Sequence, residues 1–290
     1  MIVHDSDGLT VHNADLLDAL PTLAPGSIDS VVTSPPYAMQ RKSTYGGVPE
    51  ADYPEWTVEW MRALKPALSE RGSVMLNISP HVKGGMLADY VLRMRLALRA
   101  DGWYEHDELV WVKPGKGPFG AMDKPNRAWE SVLWYSRSPR PWCDPRRNGA
   151  PIPHSRILRA EREGRFATGR TGRNGWSHVG EGSGSLLHER GRCLNFVSIG
   201  TGSLTGDSRG WDHPAPFPIA LAEWLMNINT PDRGTVLDPF AGSGTTAVAA
   251  LRNGFQSVAI EREPEYARMI VDRYQHEAQS TMPAITGLTC

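Results

Sequence analysis

Residues 235–261 read TVLDPFAGSGTTAVAALRNGFQSVAIE, and this stretch decides the fold. An apolar run ends at Asp238, a glycine-containing turn follows, and an apolar pattern with helical spacing begins at about Thr245. A second apolar run then ends at Glu261. This order of strand, turn, helix and strand is typical of a parallel α/β unit. It predicts that the turn lies at the carboxyl edge of a sheet, where such folds bind ligands.

The turn itself indicates what kind of ligand to expect. Gly242-x-Gly244-x-x-Ala247 fits the glycine pattern of dinucleotide-binding loops, in which glycines let the backbone approach a ligand and the helix presents free N–H groups. Glu261 lies 17 residues after Gly244, where a carboxylate can accept hydrogen bonds from ribose hydroxyls. The pattern predicts a cofactor that contains adenosine.

The identity of that cofactor stays open at this point. A phosphate-binding P-loop is excluded because no lysine follows Gly244. NAD and S-adenosylmethionine remain, and the second carries a cationic sulfonium and an amino-acid tail. Asp238, directly before the loop, would supply a charge of the required sign. The alternative interpretation is that Asp238 only complements the dipole of the following helix.

A second motif lies near the other end of the chain, in IDSVVTSPPY at residues 28–37. Its apolar core predicts a buried strand that runs into Pro35-Pro36, a stiff turn whose prolines lack N–H groups. The carbonyls are then free to accept hydrogen bonds, and Ser34 and Tyr37 project on either side. Taken alone, the motif favours a plain proline turn that ends a strand, and only its combination with the glycine turn indicates a functional site.

The remaining patterning alternates between strands and helices. It predicts an α/β protein with a mostly parallel sheet that is covered on both faces. Further strands are predicted at 72–78, 108–113, 131–136 and 257–260, and helices at 52–68, 86–100, 219–227, 245–253 and 265–278.

Composition excludes several classes of protein. The 290 residues are 40% hydrophobic and contain 3 cysteines without a CxxC pair, which argues against disorder, a disulfide scaffold and a cysteine-based zinc site. We expect Cys143 to be structural, and the histidines form no metal-binding motif, so no metal is predicted. Without a long apolar run or a signal-like N-terminus, we expect a cytoplasmic protein that does not enter membranes.

The charges are balanced overall but not locally. The chain has 31 Lys and Arg against 32 Asp and Glu, yet residues 145–180 contain eight arginines, no lysine and two glutamates. Arginine offers a planar set of donors that suits phosphates and guanine edges. This window is either a solvated surface loop or a surface that binds nucleic acid.

TSPPY followed far downstream by DPFAGSGTT resembles the DNA methyltransferases that modify an exocyclic amine. The segments at 110–119, 127–138 and 213–226 are also similar to that family, and the order of the motifs corresponds to its β group. The resemblance implies a circularly permuted, Rossmann-like class I methyltransferase fold with seven strands. It implies a catalytic half at 1–142, a target-recognition insertion at 143–210, a cofactor-binding half at 211–280, and a flexible tail at 281–290.

The resemblance also assigns residues and partners. Ser34 in Ser-Pro-Pro-Tyr is associated with methylation of cytosine N4, whereas Asp at this place marks adenine N6 enzymes. It implies catalysis by Ser34, Pro35, Pro36 and Tyr37. A base flipped out of the duplex would stack on the Tyr37 ring. S-adenosylmethionine would be held by Asp15, Phe217, Asp238, Phe240, Gly242, Gly244, Thr245 and Glu261. Double-stranded DNA would contact Arg146, Arg147, Arg156, Arg159, Arg170 and Arg173.

The sequence leaves alternative functions open, and they belong to different classes of protein. Adenine N6 methylation is the nearest rival, and an NAD-dependent oxidoreductase is disfavoured because no Tyr-x-x-x-Lys pair is present. A catalytically silent DNA-binding module is disfavoured because both motifs are intact. A homodimer is favoured, and a cognate restriction endonuclease stays open as a partner.

Overall fold

The computed structural model describes residues 1–39, 47–114, 125–151, 190–201 and 217–281. The chain divides into two compact units. One comprises residues 1–143 and 195–290, and the other comprises residues 144–194. In the part of the smaller unit that is described, Pro151 and Arg190 form an isolated antiparallel bridge.

The larger unit is built on a sheet with strands from both ends of the chain. In the described part of the chain its strands are β1 Ile2–Ser6, β2 Leu9–Asn13, β3 Ile28–Thr33, β4 Leu68–Ile78, β7 Tyr104–Val112, β8 Trp129–Ser136, β9 Phe196–Ser198, β10 Thr235–Asp238 and β11 Gln256–Glu261. They lie in the order β1-β2-β11-β10-β3-β4-β8-β7-β9. The neighbours from β2 to β4 are parallel, as are β7 and β9, whereas β1–β2, β4–β8 and β7–β8 are antiparallel. Two further strands, β5 Val82–Lys83 and β6 Met86–Leu87, form a separate hairpin.

Helices cover both faces of this sheet. They are α1 Leu16–Ala19, α2 Tyr53–Leu64, α3 Tyr90–Ala100, α4 Ile219–Asn229, α5 Thr245–Arg252 and α6 Pro264–Thr281, with a 3-10 turn at Leu20–Thr22 after α1. Along β3, Val31 packs in one core cluster with Trp60 of α2 and Met94 of α3. The preceding residue, Ser30, faces the other way and donates a hydrogen bond to Asn229 of α4. Side chains of a strand alternate between faces, so this central strand is buried on both.

The predicted α/β class is confirmed. Among the described residues the sheet has nine strands where seven were expected, and β1 and β9 are its two edge strands. The predicted helix at 86–100 is wrong in its first turn, because Gly84 and Gly85 have positive φ and turn the chain into the β5–β6 hairpin. In the described part of the chain, no helix combines the length and the apolar character that crossing a membrane requires.

Candidate active site

The two motifs meet at the carboxyl edge of the sheet because their strands are neighbours. β3 and β10 run parallel, with Ser30 paired to Val236 and Val31 paired to Leu237. The turn after β3 therefore lies beside the turn after β10. Between these two strands along the chain lie β4, β7, β8 and β9 of the sheet and the helices α2, α3 and α4.

Asp238 joins the two turns with its carboxylate. Thr33 at the end of β3 donates from Oγ1 to Oδ1 over 2.6 Å, and Thr246 of α5 donates to Oδ2 over 2.7 Å. The Phe240 N–H also donates to Oδ1, over 3.0 Å. Asp238 is only 2% exposed, and burial raises its pKa while these hydrogen bonds oppose that rise. Both oxygens are thus engaged by the protein, and a contact of Asp238 with a cationic ligand stays a prediction.

The glycine turn has the backbone geometry of a close-approach loop. Gly242 has φ +52° and Gly244 has φ +80°, a left-handed conformation that glycine adopts at low cost. A Cβ on Gly244 would lie 3.2 Å from the Ile270 Cα. Gly244 is the N-cap of α5 and makes no side-chain cap, so the helix begins with backbone donors facing the turn.

Glu261 ends β11 and reaches back to this turn. Its Oε2 accepts a hydrogen bond from the Gly242 N–H over 2.8 Å, and its Oε1 accepts one from the Glu263 N–H over 2.9 Å. Burial raises its pKa from 4.5 to about 7, against the opposing effect of these two bonds. A buried carboxylate beside a glycine turn fits the ribose of an adenosine-bearing ligand, so these residues are suited to hold S-adenosylmethionine.

Arg273 of α6 supports the turn from behind, and the sequence motifs gave no sign of it. The side chain is 4% exposed, and its Nη1 donates to the carbonyl of Ser243 over 3.1 Å, to Ser243 Oγ over 3.1 Å and to Thr245 Oγ1 over 3.3 Å. Its contacts tie the cofactor turn to the C-terminal helix.

The other residues predicted to bind the cofactor lie on several elements. Asp15 caps α1 by accepting a hydrogen bond from the Leu17 N–H over 2.9 Å, and Phe217 is half-buried just before α4. Phe240 is half-buried and packs edge-on against Trp60, with ring centroids 5.4 Å apart. Asp15 follows β2, which pairs with β11, so it belongs to the same edge of the sheet as Glu261.

The Ser34–Tyr37 turn is held from two sides. Ser34 and Tyr37 are half-buried, and the Tyr53 hydroxyl of α2 donates to the carbonyl of Pro36 over 3.1 Å. The Tyr37 hydroxyl donates to Glu130 Oε2 of β8 over 2.9 Å. Burial, together with the Glu130 charge, raises the pKa of Tyr37 well above its usual 10. Tyr37 therefore acts here as a neutral hydrogen-bonding phenol.

Glu130 belongs to a polar cluster that sequence reasoning missed. Lys113, just after β7, forms an ion pair with Glu130 Oε1. Asn77 of β4 donates from Nδ2 to Glu130 Oε2 over 3.1 Å and lies 3.4 Å from Ser34 Oγ. Both segments that contain Lys113 and Glu130 stood out as family-like in the sequence, but nothing there indicated that they converge on the catalytic turn.

The predicted DNA-contacting arginines fall mostly beyond the described residues. Arg146 and Arg147 lie in the smaller unit, where the Arg146 N–H donates to Asp144 Oδ1 and Arg147 Nε lies 4.0 Å from Asp144 Oδ2. Arg156, Arg159, Arg170 and Arg173 lie outside the described ranges. Cys143 is half-buried. Within the described ranges, no three His, Cys, Asp or Glu side chains are grouped so that they could hold a metal ion.

Comparison with known proteins identifies the family. A family model described as DNA methylase, of the N6 and N4 methyltransferase type, matches residues 28–272. The chain belongs to this family. The match extends across both the Ser34–Tyr37 turn and the glycine turn. The predicted class of enzyme, a DNA methyltransferase dependent on S-adenosylmethionine, is confirmed by this membership.

Curated relatives match most of this DNA methylase. It is 26% identical over 280 residues to the Type II methyltransferase M.PvuII of Proteus hauseri, with 91% of this chain and 83% of the relative covered. It is 27% identical over 285 residues to the Type II methyltransferase M.ScaI of Streptomyces caespitosus, with 96% and 84% covered.

Solved structures show the same fold. The PvuII DNA methyltransferase, described as cytosine-N4-specific, superposes with a TM-score of 0.66 at 21% identity and covers 94% of both chains. A DNA modification methylase from Thermus thermophilus in complex with S-adenosyl-L-methionine has a TM-score of 0.58 at 22% identity, covering 92% of this chain and 95% of that one.

Proposed function

We propose that this DNA methylase transfers the methyl group of S-adenosylmethionine to the N4 amine of a cytosine in duplex DNA. The observation that carries the proposal is the hydrogen bond from Thr33 to Asp238, which brings the end of the Ser34-Pro35-Pro36-Tyr37 turn against the glycine turn. Support for cytosine comes from Ser34 and from the likeness to a cytosine-N4-specific enzyme of known structure.

S-adenosylmethionine would be held at the glycine turn. The ionised Glu261 carboxylate would accept hydrogen bonds from the ribose, while Gly242 and Gly244 leave room for the ligand beside the backbone. When bound, S-adenosylmethionine supplies a sulfonium-activated methyl group. Phe217, Asp15 and Phe240 would contribute packing and polar contacts around it, as the family resemblance implies.

The acceptor turn would make the amine nucleophilic. An aromatic amine is a poor nucleophile because its lone pair is delocalised into the ring. Ser34 Oγ and the Pro35 carbonyl would accept the two amine hydrogens, which localises electron density on nitrogen and directs the lone pair at the methyl group. In the transfer the amine nitrogen would form a bond to the methyl carbon while the sulfur–carbon bond breaks and leaves its electrons on sulfur, and one amine proton would pass to solvent water.

The cytosine must leave the base stack to reach this turn. The amine is paired inside the duplex, so the enzyme would flip the target base out and stack it on Tyr37. The insertion at 143–210 would recognise the target site, with Arg146, Arg147, Arg156, Arg159, Arg170 and Arg173 contacting DNA. Neutralising several of these arginines should weaken DNA binding and flatten its dependence on salt.

The biological setting follows from the relatives. Because the curated relatives are named Type II methyltransferases, we propose that this enzyme protects the sites of a partner restriction endonuclease in the cytoplasm. Sedimentation of the purified enzyme would test the expected homodimer.

Nucleoside analysis tests the proposed reaction. DNA methylated with tritiated S-adenosylmethionine is digested to nucleosides and separated. We expect the label in 4-methylcytosine, whereas label in 6-methyladenine would refute the assignment of the base. Ser34→Ala should lose methyl transfer while S-adenosylmethionine still binds, as measured by calorimetry. If Ser34→Ala and Tyr37→Ala both lose cofactor binding, the assignment of this turn to the acceptor base is wrong.

A further inference from the structure

A buried ion pair lies next to the Ser34–Tyr37 turn, and the proposed chemistry does not use it. The side chains of Lys113 and Glu130 are 9% and 17% exposed, and Lys113 Nζ also lies 4.3 Å from the centroid of the Trp111 ring. Desolvation makes a buried ion pair a weak source of stability, and apolar side chains of similar volume often serve the fold as well. The pair therefore calls for a role other than stabilising the sheet.

Asn77 connects this pair to the turn. Its Nδ2 lies 3.1 Å from Glu130 Oε2, 3.2 Å from Tyr37 Oη and 3.4 Å from Ser34 Oγ. Strand register explains the position. On one side Thr33 is paired with Leu76, so Ser34, the residue after β3, lies beside Asn77. On the other side Asn77 is paired with Val132, and Glu130 is the diagonal neighbour on β8.

The oxygen of the Asn77 amide has no hydrogen bond to offset its burial in the described part of the structure. Asn77 is 3% exposed, and its Oδ1 is buried with no hydrogen-bond partner among the described residues. Leaving a buried acceptor unsatisfied is unfavourable, because it loses its hydrogen bonds to water and gains none in the protein. Turning the amide over would not help, because it would point Oδ1 at Glu130 Oε2 and remove the hydrogen bond that Nδ2 donates to that oxygen. A side chain that fits the fold poorly but contacts both Ser34 and Tyr37 points to a function at the turn.

We propose that Asn77, Glu130 and Lys113 form a positioning network for Ser34 and Tyr37. Lys113 pairs with Glu130 and holds its carboxyl group in place, and Glu130 accepts a hydrogen bond from the Tyr37 hydroxyl, which fixes one end of the ring. Asn77 occupies one lone pair of Ser34 Oγ and leaves the other for an amine hydrogen. This inference rests on the proposed function, since that function assigns Ser34 and Tyr37 to the acceptor base.

Variants of the network test this role. Asn77→Leu keeps the size of the side chain and removes its donor, Glu130→Gln removes the charge, and Lys113→Met with Glu130→Gln removes the pair together. Glu108→Gln is the matched control. Glu108 is a strand carboxylate that pairs with Arg95 and accepts a hydrogen bond from Ser131 Oγ over 2.6 Å. Ser131 and Glu130 are consecutive strand residues and point to opposite faces of the sheet. The rate is measured in single turnover as total tritium transferred to DNA, whichever base receives it.

We expect the network variants to lose about 10- to 100-fold in this rate, because small displacements of reacting groups have effects of that order. Dissociation constants for S-adenosylmethionine and DNA should change by less than about twofold, since the network holds the turn and not the ligands. Glu130→Gln and the double variant should be equally slow, because either change removes the same unit. Glu108→Gln should match the wild type.

A readout that needs no catalysis separates the two proposals. In protein labelled with fluorotyrosine, the fluorine NMR signal of Tyr37 is assigned by its loss in Tyr37→Phe. We expect Asn77→Leu and Glu130→Gln to shift or broaden this signal and Glu108→Gln to leave it unchanged. An unchanged signal together with an unchanged rate would overturn the network. A shifted signal in an enzyme whose label is not in cytosine would overturn the proposed base and keep the network.

Discussion

The raised pKa of Glu261 predicts that cofactor binding depends on pH near neutrality. Burial raises this pKa to about 7, with smaller contributions from the charges of Asp238 and Glu263. Ribose hydroxyls donate hydrogen bonds, so they bind the ionised carboxylate and not the protonated one. The affinity for the cofactor is therefore highest above the pKa that Glu261 has in the ligand-free protein, and it is lost as the pH falls through that pKa.

The magnitude follows from the same pKa. For a ligand that binds only the ionised form, the dissociation constant rises about tenfold between about pH 8 and about pH 6, which corresponds to about 1.4 kcal/mol. Binding near pH 7 should release about half a proton per ligand. The ligand-free protein should show the opposite trend, because a carboxyl pKa raised by folding contributes stability that is lost as the pH rises from 4.5 to about 7.

Isothermal titration calorimetry in buffers of different ionisation enthalpy measures both quantities. Adenosine is titrated beside S-adenosylmethionine, because the α-amino group of the latter titrates at about 8. Glu261→Gln should bind more weakly at about pH 8 and lose the dependence on pH, since no carboxylate remains to titrate. The matched control, Glu263→Gln, should keep it. Equal adenosine affinities at both pH values in the wild type, or an unchanged slope in Glu261→Gln, would refute the reasoning.

Three further substitutions test the scaffold of the site. Thr33→Val should lower the free energy of unfolding by about 1.5–3 kcal/mol, because it removes a hydrogen bond to the buried Asp238 carboxylate. The control is Thr10→Val, since Thr10 Oγ1 donates to Asp5 Oδ1 over 2.8 Å at an exposed site. Its loss should cost less than about 1 kcal/mol, and equal losses in urea denaturation would contradict the prediction. Gly244→Ala should destabilise by more than about 1 kcal/mol because of its positive φ, and thermal unfolding without ligand would reveal it. Arg273→Met should weaken S-adenosylmethionine binding by about tenfold or more in calorimetry, since the glycine turn loses charge-assisted hydrogen bonds. Unchanged affinity would show that the conformation of the turn does not depend on Arg273.

The sequence predicted the parts of the fold that depend on local pattern. The strands that lead into Ser34 and Gly242 are apolar runs that end at turn residues, and both their type and their position can be read from the chain. The prediction that a helix begins at residue 86 was wrong. Met86 and Leu87 continue an apolar helical spacing, whereas Gly84 and Gly85 favour a hairpin. Local pattern contains both signals and does not decide between them.

Contacts between distant segments account for what sequence reasoning missed. Asn77 is an ordinary polar residue at the end of a buried strand until pairing with β3 and β8 brings it to the turn. Arg273 is a basic residue on a helix until α6 packs against the glycine turn. Lys113 and Glu130 become partners only through the antiparallel pairing of β7 and β8. Pairing of strands is a tertiary property, and a single sequence does not encode it as a local signal.

The position of β10 and β11 has a consequence for how the protein folds. These strands come after every other strand along the chain, yet they lie between β2 and β3 in the sheet. Until they are synthesised and inserted, β2 and β3 each present an unpaired edge, which is a site for aggregation. The pairings needed to close this gap join residues more than 200 positions apart, as in the bond from Thr33 to Asp238. Folding should therefore be slow relative to helical proteins of similar stability, and the methyl-transfer site should form in its last step.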